Sequence, residues 1–230
     1  MALFLDFDGT LVDVAATPEG VYVPSDLPDD LAAAHDSLAG ALAIVSGRPL
    51  VDLERLLGPI KYLLVAEHGA VTRRPNESGE SIATPWPQEW NRPLDVFAAS
   101  HPALRIEKKW ACITIHFRAA RELGEPARQF AESLAKTSSD YELRPAKMAW
   151  ELCRRQFDKG LAVENLMTMS PFAGRLPVFV GDDIADERAI AAVQRMGGIG
   201  LHTAIAFGGK PALVRQWLKG FAHIGMESTA

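Results

Sequence analysis

Two aspartates stand two residues apart directly after the first apolar run of the chain. The run Leu3–Leu5 leads into Asp6, and Asp8 follows with Gly9 behind it. A short apolar run that ends at a turn signal predicts a strand buried on both faces. Side chains alternate along a strand, so the two carboxylates should leave its end on roughly the same side. Burying charge without a partner is costly, so we expect a cation or strong donors beside them, which makes the pair a candidate active site with a metal.

The same residues also fit an ordinary turn. In that interpretation Asp8 and Gly9 form a turn after an edge strand and Asp6 is exposed, because short motifs of this kind occur often by chance. The rest of the chain has to decide between the two interpretations.

Polar groups also follow the other predicted buried strands. They are Ser46 and Arg48 after the strand 41–45, Glu67 and His68 after the strand 62–66, and Asp182 after the strand 177–180. A glycine turn between a strand and a helix offers backbone N–H groups to an anion, to which Ser46 would add a hydroxyl and Arg48 a guanidinium. Taken alone, Ser46 and Arg48 equally fit a turn residue and a solvated side chain, and His68 fits a hydrogen-bonded turn residue better than a functional one.

Two predicted helix starts carry charges that helix capping does not explain. Lys159 lies in the first turn of one helix, where the helix dipole disfavours a cation. The other helix opens with Asp183 and Asp186, which capping explains, but capping does not explain Asp182 at the strand end. Carboxylate oxygens gathered at a strand end suit Mg²⁺. If both helices begin beside Asp6, each of these charges has a reason.

Strands and helices alternate in both terminal parts of the chain. This order predicts an α/β fold with a doubly wound, parallel, Rossmann-like sheet. Such sheets bind ligands at the carboxyl ends of their strands, and each polar group named above lies at such an end. The sequence therefore predicts that these groups meet in one pocket.

The middle of the chain has a different pattern. From about residue 72 to residue 95 the composition shifts to Pro, Asn, Ser, Glu and Trp, as at a domain boundary. The run 111–118 then alternates, with Ile113 and Ile115 on one face and His116 on the other, which would meet either the main domain or water. We predict a small inserted α+β domain with an antiparallel sheet and helical cover. The predicted boundaries are residues 1–74 and 156–230 for the core and residues 75–155 for the insertion.

Composition restricts the class of protein further. The 230 residues are 48% hydrophobic and 23% charged, as in globular proteins, and the net charge of −5 argues weakly against nucleic acid as a partner. Cys112 and Cys153 are far apart in apolar surroundings, so we expect reduced thiols and a cytoplasmic location. No secretory signal and no membrane-spanning run is visible, so we expect no membrane partner. The oligomeric state is open, and a monomer fits the sequence.

The motifs resemble, in their usual order, the four signature motifs of the haloacid dehalogenase superfamily. They are Asp6-Phe7-Asp8-Gly9-Thr10, Ser46-Gly47-Arg48, Lys159 at its helix start and Gly181-Asp182-Asp183. The resemblance covers the whole chain, and the insertion resembles the C2-type cap of sugar-phosphate phosphatases. Within that group the chain is most similar to trehalose-6-phosphate phosphatases, on the stretches Glu67-His68-Gly69, Lys108-Lys109-Trp110, His116-Phe117-Arg118, Glu151 and Asp186-Glu187. It departs from that pattern at Ala185, Ile190 and the stretch 152–155, which bears on the sugar and leaves the chemistry intact.

The resemblance implies a Mg²⁺-dependent phosphatase. Asp6 would attack phosphorus to form an aspartyl-phosphate, and Asp8 would serve as general acid and then general base. Mg²⁺ would be held by Asp6, the backbone carbonyl of Asp8 and Asp182. The other implied roles are these: Ser46 and Lys159 bind the phosphoryl group, Asp183 and Asp186 support the metal waters or Lys159, and Arg48, Glu67, His68, Lys109, His116, Arg118 and Glu151 bind substrate.

Three functions are open at this point, and in each the ligand is a small sugar phosphate. The first is hydrolysis of trehalose 6-phosphate, which the cap stretches favour. The second keeps the fold with another reaction: a phosphatase for sucrose phosphate or mannosyl-phosphoglycerate, or a sugar phosphomutase. The third is a non-catalytic sugar-phosphate sensor, against which the intact Asp6, Asp8, Lys159 and Asp182 argue.

Overall fold

In the computed structural model of the chain, the residues separate into two compact units. The structure describes residues 1–15, 17–75, 77, 79–81 and 86–227. The first unit joins Met1–Glu80 to the segment from Asp158 onward, and the second unit is Ser81–Phe157. Each unit has its own sheet and its own cluster of buried apolar side chains.

Strands and helices follow one another along the chain in three groups. The first group is β1 (Ala2–Leu5), α1 (Leu27–Ser37), β2 (Leu42–Val45), α2 (Leu50–Leu57), β3 (Leu63–Ala66), β4 (Val71–Arg73) and β5 (Glu80–Ser81). The second is α3 (Asn91–Ser100), β6 (Arg105–Lys108), β7 (Cys112–His116), α4 (Gly124–Ala135), β8 (Tyr141–Ala146) and β9 (Ala149–Arg154). The third is α5 (Lys159–Leu166), β10 (Pro177–Gly181), α6 (Ile184–Arg195), β11 (Ile199–His202), α7 (Thr203–Ala206) and α8 (Pro211–Glu227).

Parallel strands form the centre of the first unit. Among the described residues its sheet has seven strands in the order β11-β10-β1-β2-β3-β4-β5. The strands from β11 to β3 are parallel, and β4 is antiparallel to β3. In the central strand, Leu3 is in register with Val178 on one side and Leu42 on the other. The predicted α/β fold with a parallel sheet is confirmed.

Apolar side chains on the sheet fix this strand order. Every residue of β1, β2 and β3 is buried. On one face Phe4 stacks on Phe172, with ring centroids 5.3 Å apart, and Val163 of α5 and Val193 of α6 belong to the same cluster. Burying one such side chain stabilises the fold by about 1.5–3 kcal/mol. The strands are therefore held in register, and their carboxyl ends meet at one edge.

An antiparallel sheet forms the second unit, in the order β6-β7-β9-β8. One face carries Ile113, Ile115 and Leu152, which are buried with side chains of α3 and α4. Thr114 and Glu151 are directly opposite each other on the other face. The alternation of apolar and polar side chains predicted for β7 is confirmed, and so is the antiparallel sheet with helical cover.

Two elements differ from the sequence-based expectation. The shifted composition between residues 72 and 95 predicted a domain boundary, and the two units do divide there, between Glu80 and Ser81. The sequence did not predict β4, which extends the main sheet, or α3, which begins at Asn91. Distant partners fix the start of α3, because Trp90 contacts the Tyr141 ring edge to face at 4.8 Å and donates its indole N–H to Thr137. Local periodicity carries no signal for such contacts. Residues 76, 78 and 82–85 of this segment lie outside the described residues.

None of the helices in the described part of the chain is both long enough and apolar enough to cross a membrane.

Candidate active site

The polar residues that follow the strands lie at one edge of the main sheet. Asp6 follows β1, Ser46 follows β2, Glu67 follows β3 and Asp182 follows β10. These four strands are neighbours in the order β10-β1-β2-β3 and run parallel. Segments that are distant in sequence therefore present their polar groups side by side.

The ammonium of Lys159 lies between two carboxylates at this edge. Its Nζ donates to Asp6 Oδ1 at 2.6 Å and to Asp186 Oδ1 at 2.6 Å. All three side chains are buried. A cation in the first turn of α5 opposes the helix dipole, but charge-assisted hydrogen bonds are about twice as strong as neutral ones, and Lys159 makes two. The unusual position of this lysine thus has a structural reason.

Burial controls the proton affinities of this cluster. Burial raises the pKa of the Asp6 carboxyl well above its usual range, and the charge of Asp186 raises it further. Burial also raises the pKa of Asp186 to about 7. For Lys159, burial disfavours the ammonium, but the carboxylates of Asp186 and Asp6 outweigh this effect and raise its pKa. Burial thus disfavours the charged form of all three groups, and the Lys159 ammonium lowers both carboxyl pKa values in part.

The start of α6 holds Asp186 in place. Asp183 caps the helix by accepting a hydrogen bond from Asp186 N at 3.1 Å. In return Asp186 Oδ2 accepts from Asp182 N at 2.9 Å and from Asp183 N at 3.1 Å, which completes a capping box. The two oxygens of Asp186 therefore have different tasks. One binds Lys159, and the other fixes the backbone beside Asp182.

Asp8 has a cation of its own. Arg48 Nε donates to Asp8 Oδ2 at 2.5 Å and Arg48 Nη2 donates to Asp8 Oδ1 at 2.7 Å, as a two-bond fork. Arg48 Nη1 donates to the carbonyl of Pro18 at 3.1 Å, and the guanidinium lies 5.7 Å from the ring centre of Phe7. The side chain of Arg48 is buried. The Arg48 guanidinium therefore binds Asp8, and its expected contact with substrate stays a prediction.

The residues at this edge fit a divalent metal ion. Asp6, Asp182 and Asp186 each offer one oxygen, and these atoms lie within 4.8 Å of one another. The Asp182 carboxylate lies against the backbone of Gly9, where a Cβ would overlap it. The missing side chain at Gly9 thus lets Asp182 reach the peptide that joins Asp8 to Gly9. Oxygen ligands with excess negative charge are the donor set of hard cations.

Glu67 and His68 support the Ser46 turn through their backbone. Both residues have a left-handed backbone conformation, with φ of 47° and 59°. The N–H of Glu67 donates to the Arg48 carbonyl at 3.0 Å, and the N–H of His68 donates to the Ser46 carbonyl at 3.0 Å. Both side chains are buried. The two turns form one hydrogen-bonded unit, and the expected substrate contacts of Glu67 and His68 stay a prediction.

In the second unit, two of the predicted substrate-binding residues meet. Lys109 Nζ donates to Glu151 Oε1 at 3.3 Å, and the same oxygen accepts from Thr114 Oγ1 at 3.1 Å. Burial disfavours the ammonium of Lys109, but Glu151 and Glu107 outweigh it and raise the pKa of Lys109. The result is a charged and hydrogen-bonded group on the polar face of this sheet.

The other two predicted residues lie at the end of β7. His116 Nε2 is 3.0 Å from Glu107 Oε2, and Arg118 follows the strand with a partly exposed side chain. Burial raises the pKa of Glu107, but the hydrogen bond from His116 and the charges of Lys109, His116 and Arg105 together outweigh it, so the pKa is lowered. The structure thus pairs Lys109 with Glu151 and His116 with Glu107.

Sequence reasoning missed the partners of these groups. Thr114 lies in the run 111–118, whose alternation puts it on the face of His116, and Glu107 lies in β6. Their pairing depends on the register between β6, β7 and β9, which sets Glu107 opposite Thr114 and Thr114 opposite Glu151. A single sequence does not encode that register locally.

The contact between Gly47 and His68 generates a prediction about stability. A Cβ at position 47 would lie 2.6 Å from the His68 ring, so Gly47→Ala should lower the free energy of unfolding by about 1–3 kcal/mol through overpacking. His68→Asn removes the ring, and Asn tolerates the left-handed backbone. In denaturant unfolding, the loss of unfolding free energy in the double variant should therefore be smaller than the sum of the two single-variant losses, by at least about 0.5 kcal/mol.

The matched control for this cycle is Gly220→Ala in α8. Nothing lies within 4 Å of a Cβ built at Gly220, so this variant should be as stable as the parent or slightly more stable. Strictly additive losses for Gly47→Ala and His68→Asn would show that the ring does not restrict position 47.

Comparison with known proteins places the chain among phosphatases. A curated protein from Sinorhizobium fredii named probable trehalose-phosphate phosphatase is 36% identical over 203 residues, which is 87% of this chain and 77% of that protein. The trehalose-6-phosphate phosphatase of Escherichia coli is 32% identical over 200 residues, which is 86% of this chain and 75% of that protein.

Solved structures share the fold. The C-terminal domain of the trehalose-6-phosphate phosphatase of C. albicans superposes with a TM-score of 0.79 at 22% identity, covering 96% of this chain and 92% of that one. The sucrose-phosphatase of Synechocystis superposes with a TM-score of 0.58 at 17% identity, covering 94% and 86%. The sequence model of the family described as trehalose-phosphatase matches residues 4–210. The chain belongs to the trehalose-phosphatase family.

Proposed function

We propose that this protein hydrolyses trehalose 6-phosphate to trehalose and phosphate. Family membership supports the substrate. The observation that carries the chemistry is the buried Lys159 ammonium at 2.6 Å from both Asp6 and Asp186, beside the Asp182 carboxylate. A carboxylate nucleophile that attacks a phosphate dianion needs positive charge beside it, and this edge of the sheet supplies it.

Asp6 is the proposed nucleophile. Its Oδ1 accepts from Lys159, so the carboxylate is held in one orientation at the carboxyl end of β1. Attack on phosphorus forms an aspartyl-phosphate and divides the hydrolysis into two easier displacements. The Lys159 ammonium stabilises the charge on the transferring phosphoryl oxygens, while Asp186 holds that ammonium in place.

Asp8 is the proposed general acid and base. It would give a proton to the departing sugar oxygen and later take one from the water that attacks the aspartyl-phosphate. Arg48 binds both of its oxygens, which fixes the plane of the carboxylate. We therefore infer that Arg48 acts on the reaction through Asp8.

Mg²⁺ is the proposed metal, and Asp6, the backbone carbonyl of Asp8 and Asp182 would hold it. When bound, it supplies positive charge between the nucleophile and the phosphate. The oxygens of Asp6 and Asp182, which lie within 4.8 Å of each other, and the close approach of Asp182 to Gly9 support this donor set. Asp183 supports it from the capping box, through the backbone of Asp186. Asp186 binds Lys159 with one oxygen and the backbone with the other.

Ser46 is the proposed hydroxyl donor to the phosphoryl group. It lies in the glycine turn after β2, and the backbone N–H of His68 fixes that turn by donating to the Ser46 carbonyl. Backbone N–H groups in such a turn and the start of the following helix favour an anion.

The second unit, for which we predicted residues 75–155, is proposed to be the cap that binds the sugar. Lys109, Glu151 and His116 offer donors and acceptors on one polar face, with Arg118 at the strand end. A disaccharide presents many hydroxyl groups, and a site built from such pairs can bind them through directed hydrogen bonds.

The decisive experiment is phosphate release from a panel of sugar phosphates, with Mg²⁺ and with a chelator. We expect trehalose 6-phosphate to be turned over well above glucose 6-phosphate and sucrose 6-phosphate, and we expect the chelator to abolish turnover and added Mg²⁺ to restore it. Equal turnover of all three esters would remove the assignment to trehalose 6-phosphate. Full activity in the presence of the chelator would exclude a metal requirement.

Asp6→Asn tests the covalent scheme. We expect turnover of trehalose 6-phosphate to fall to background because an amide is not a nucleophile here, while the thermal midpoint changes little because the amide oxygen still accepts from Lys159. The control is Asp29→Asn, which changes an exposed aspartate in α1. Near-normal turnover by Asp6→Asn would exclude Asp6 as the nucleophile.

Arg48→Met and Arg48→Lys separate two roles for Arg48. If Arg48 orients Asp8, Arg48→Met should lower kcat by about 10²-fold and leave KM within about threefold of the parent value. Arg48→Lys should recover only part of the lost kcat, because an ammonium cannot bind both carboxylate oxygens as a guanidinium does. Arg55→Met, at a largely exposed arginine of α2, is the control. An unchanged kcat with a raised KM would assign Arg48 to substrate binding instead.

A further inference from the structure

Two cysteines face each other across neighbouring strands of the second unit. Cys112 opens β7, and its register partner in β9 is Cys153. Both are free thiols with relative exposures of 1% and 0%. They lie 41 positions apart in sequence, and the proposed reaction uses neither of them.

Backbone hydrogen bonds define the kind of pair that they form. Phe117 N donates to Met148 O at 3.0 Å, so these two residues form a hydrogen-bonded pair between the segments of β7 and β9. Hydrogen-bonded and non-hydrogen-bonded pairs alternate along an antiparallel ladder. Counting back from Phe117, the pair of Cys112 with Cys153 is non-hydrogen-bonded.

A second contact agrees with this assignment. The carbonyl of Cys112 accepts from Lys109 N at 2.9 Å, so its backbone polar groups point away from β9. Non-hydrogen-bonded pairs bring their Cα atoms to about 4.5 Å, within the range of about 4.4–6.8 Å that disulfides span. The Cys112 thiol is also near enough to raise the pKa of the Cys153 thiol. The backbone is thus already placed for a bond between the sulfurs.

We propose that Cys112 and Cys153 are a site of oxidative modification, which a peroxide converts into a cross-strand disulfide. One thiol, as the thiolate, attacks a peroxide oxygen and becomes a sulfenic acid, with loss of water overall. The sulfur of the second thiol then displaces the hydroxyl from the sulfenic sulfur and releases a second water. Two thiols and one hydrogen peroxide give one disulfide and two waters.

The resting pair reacts slowly. Burial raises the pKa of the Cys153 thiol, and the neighbouring Cys112 raises it further, so little thiolate is present. Oxidation therefore proceeds through openings that admit water and peroxide to this face. Two nearby positive charges favour the thiolate in such an opening: the Arg144 guanidinium, which lowers the pKa of Cys153, and the Lys109 ammonium, whose pKa both cysteines raise.

The disulfide would act on the proposed sugar site, and this step rests on the proposed function. Thr114 and Glu151 are the next residues on the same face of β7 and β9, and Lys109 binds both the Cys112 carbonyl and the Glu151 carboxylate. A covalent bond between the two strands fixes their spacing at that point. We expect turnover of trehalose 6-phosphate to fall by about fivefold or more, since small displacements of positioning groups have large kinetic effects.

The test exposes the full-length protein to hydrogen peroxide and follows its intact mass and its thiol content. We expect a loss of about 2 Da, a fall in titratable thiols from two to none, a linked peptide that joins Cys112 to Cys153, and reversal by dithiothreitol. Cys112→Ser and Cys153→Ser are the controls, and neither should lose that mass or form the linked peptide.

Two results would overturn the proposal. One is a gain of about 16 or 32 Da per thiol without a linked peptide, which would mean separate oxidation of each cysteine. The other is a protein that keeps two titratable thiols even in denaturant concentrations that open the fold partly. Because mass and thiol content do not depend on the substrate, a disulfide in a protein that ignores trehalose 6-phosphate would count against the proposed function alone.

Discussion

The geometry of the candidate site depends on one buried ammonium. Lys159 joins Asp6 at the end of β1 to Asp186 in the first turn of α6, so three segments far apart in sequence meet at one nitrogen. Removing the ammonium would cost about 3–5 kcal/mol, because two buried carboxylates would then lose their counter-charge without regaining water. The same contact that aligns the proposed nucleophile therefore also holds the start of α5 and the start of α6 at the sheet edge.

Glycines make the close approaches around this ammonium possible. A Cβ at Gly181 would overlap the Asp186 side chain, and a Cβ at Gly160 would come within 2.7 Å of the Arg188 carbonyl. At Gly9 it would overlap Asp182, and the backbone there has a φ of +81°, which L-residues adopt rarely. The acidic groups can crowd together because the backbone next to them carries no side chains. The glycines of these motifs are therefore as necessary for the site as its charged residues are.

The sequence alone was sufficient for features that are local. Buried strands are short apolar runs, so β1, β2, β3 and β10 could be predicted, and with them the edge where Asp6 and Asp182 lie. The unusual position of Lys159 was also visible, because the helix dipole disfavours a cation in the first turn of a helix. Partners set by tertiary contacts were not visible, such as the fork from Arg48 to Asp8 and the bond from His116 to Glu107. Helix α3 was missed for the same reason, since its start is fixed by Trp90 against Tyr141.

Two carboxylates only two residues apart need different surroundings if they are to do different chemistry. Asp6 is buried between an ammonium and a second carboxylate, and its pKa is raised mainly by burial. Asp8 is less buried and has both oxygens bound by a guanidinium, which cannot lose its proton and so remains a fixed charge. The lysine comes from the start of α5 and the arginine from the turn after β2, so the fold assigns each aspartate a separate cation. The two aspartates thus have different surroundings because two distant segments place their positive charges beside them, and different surroundings are what two different roles require.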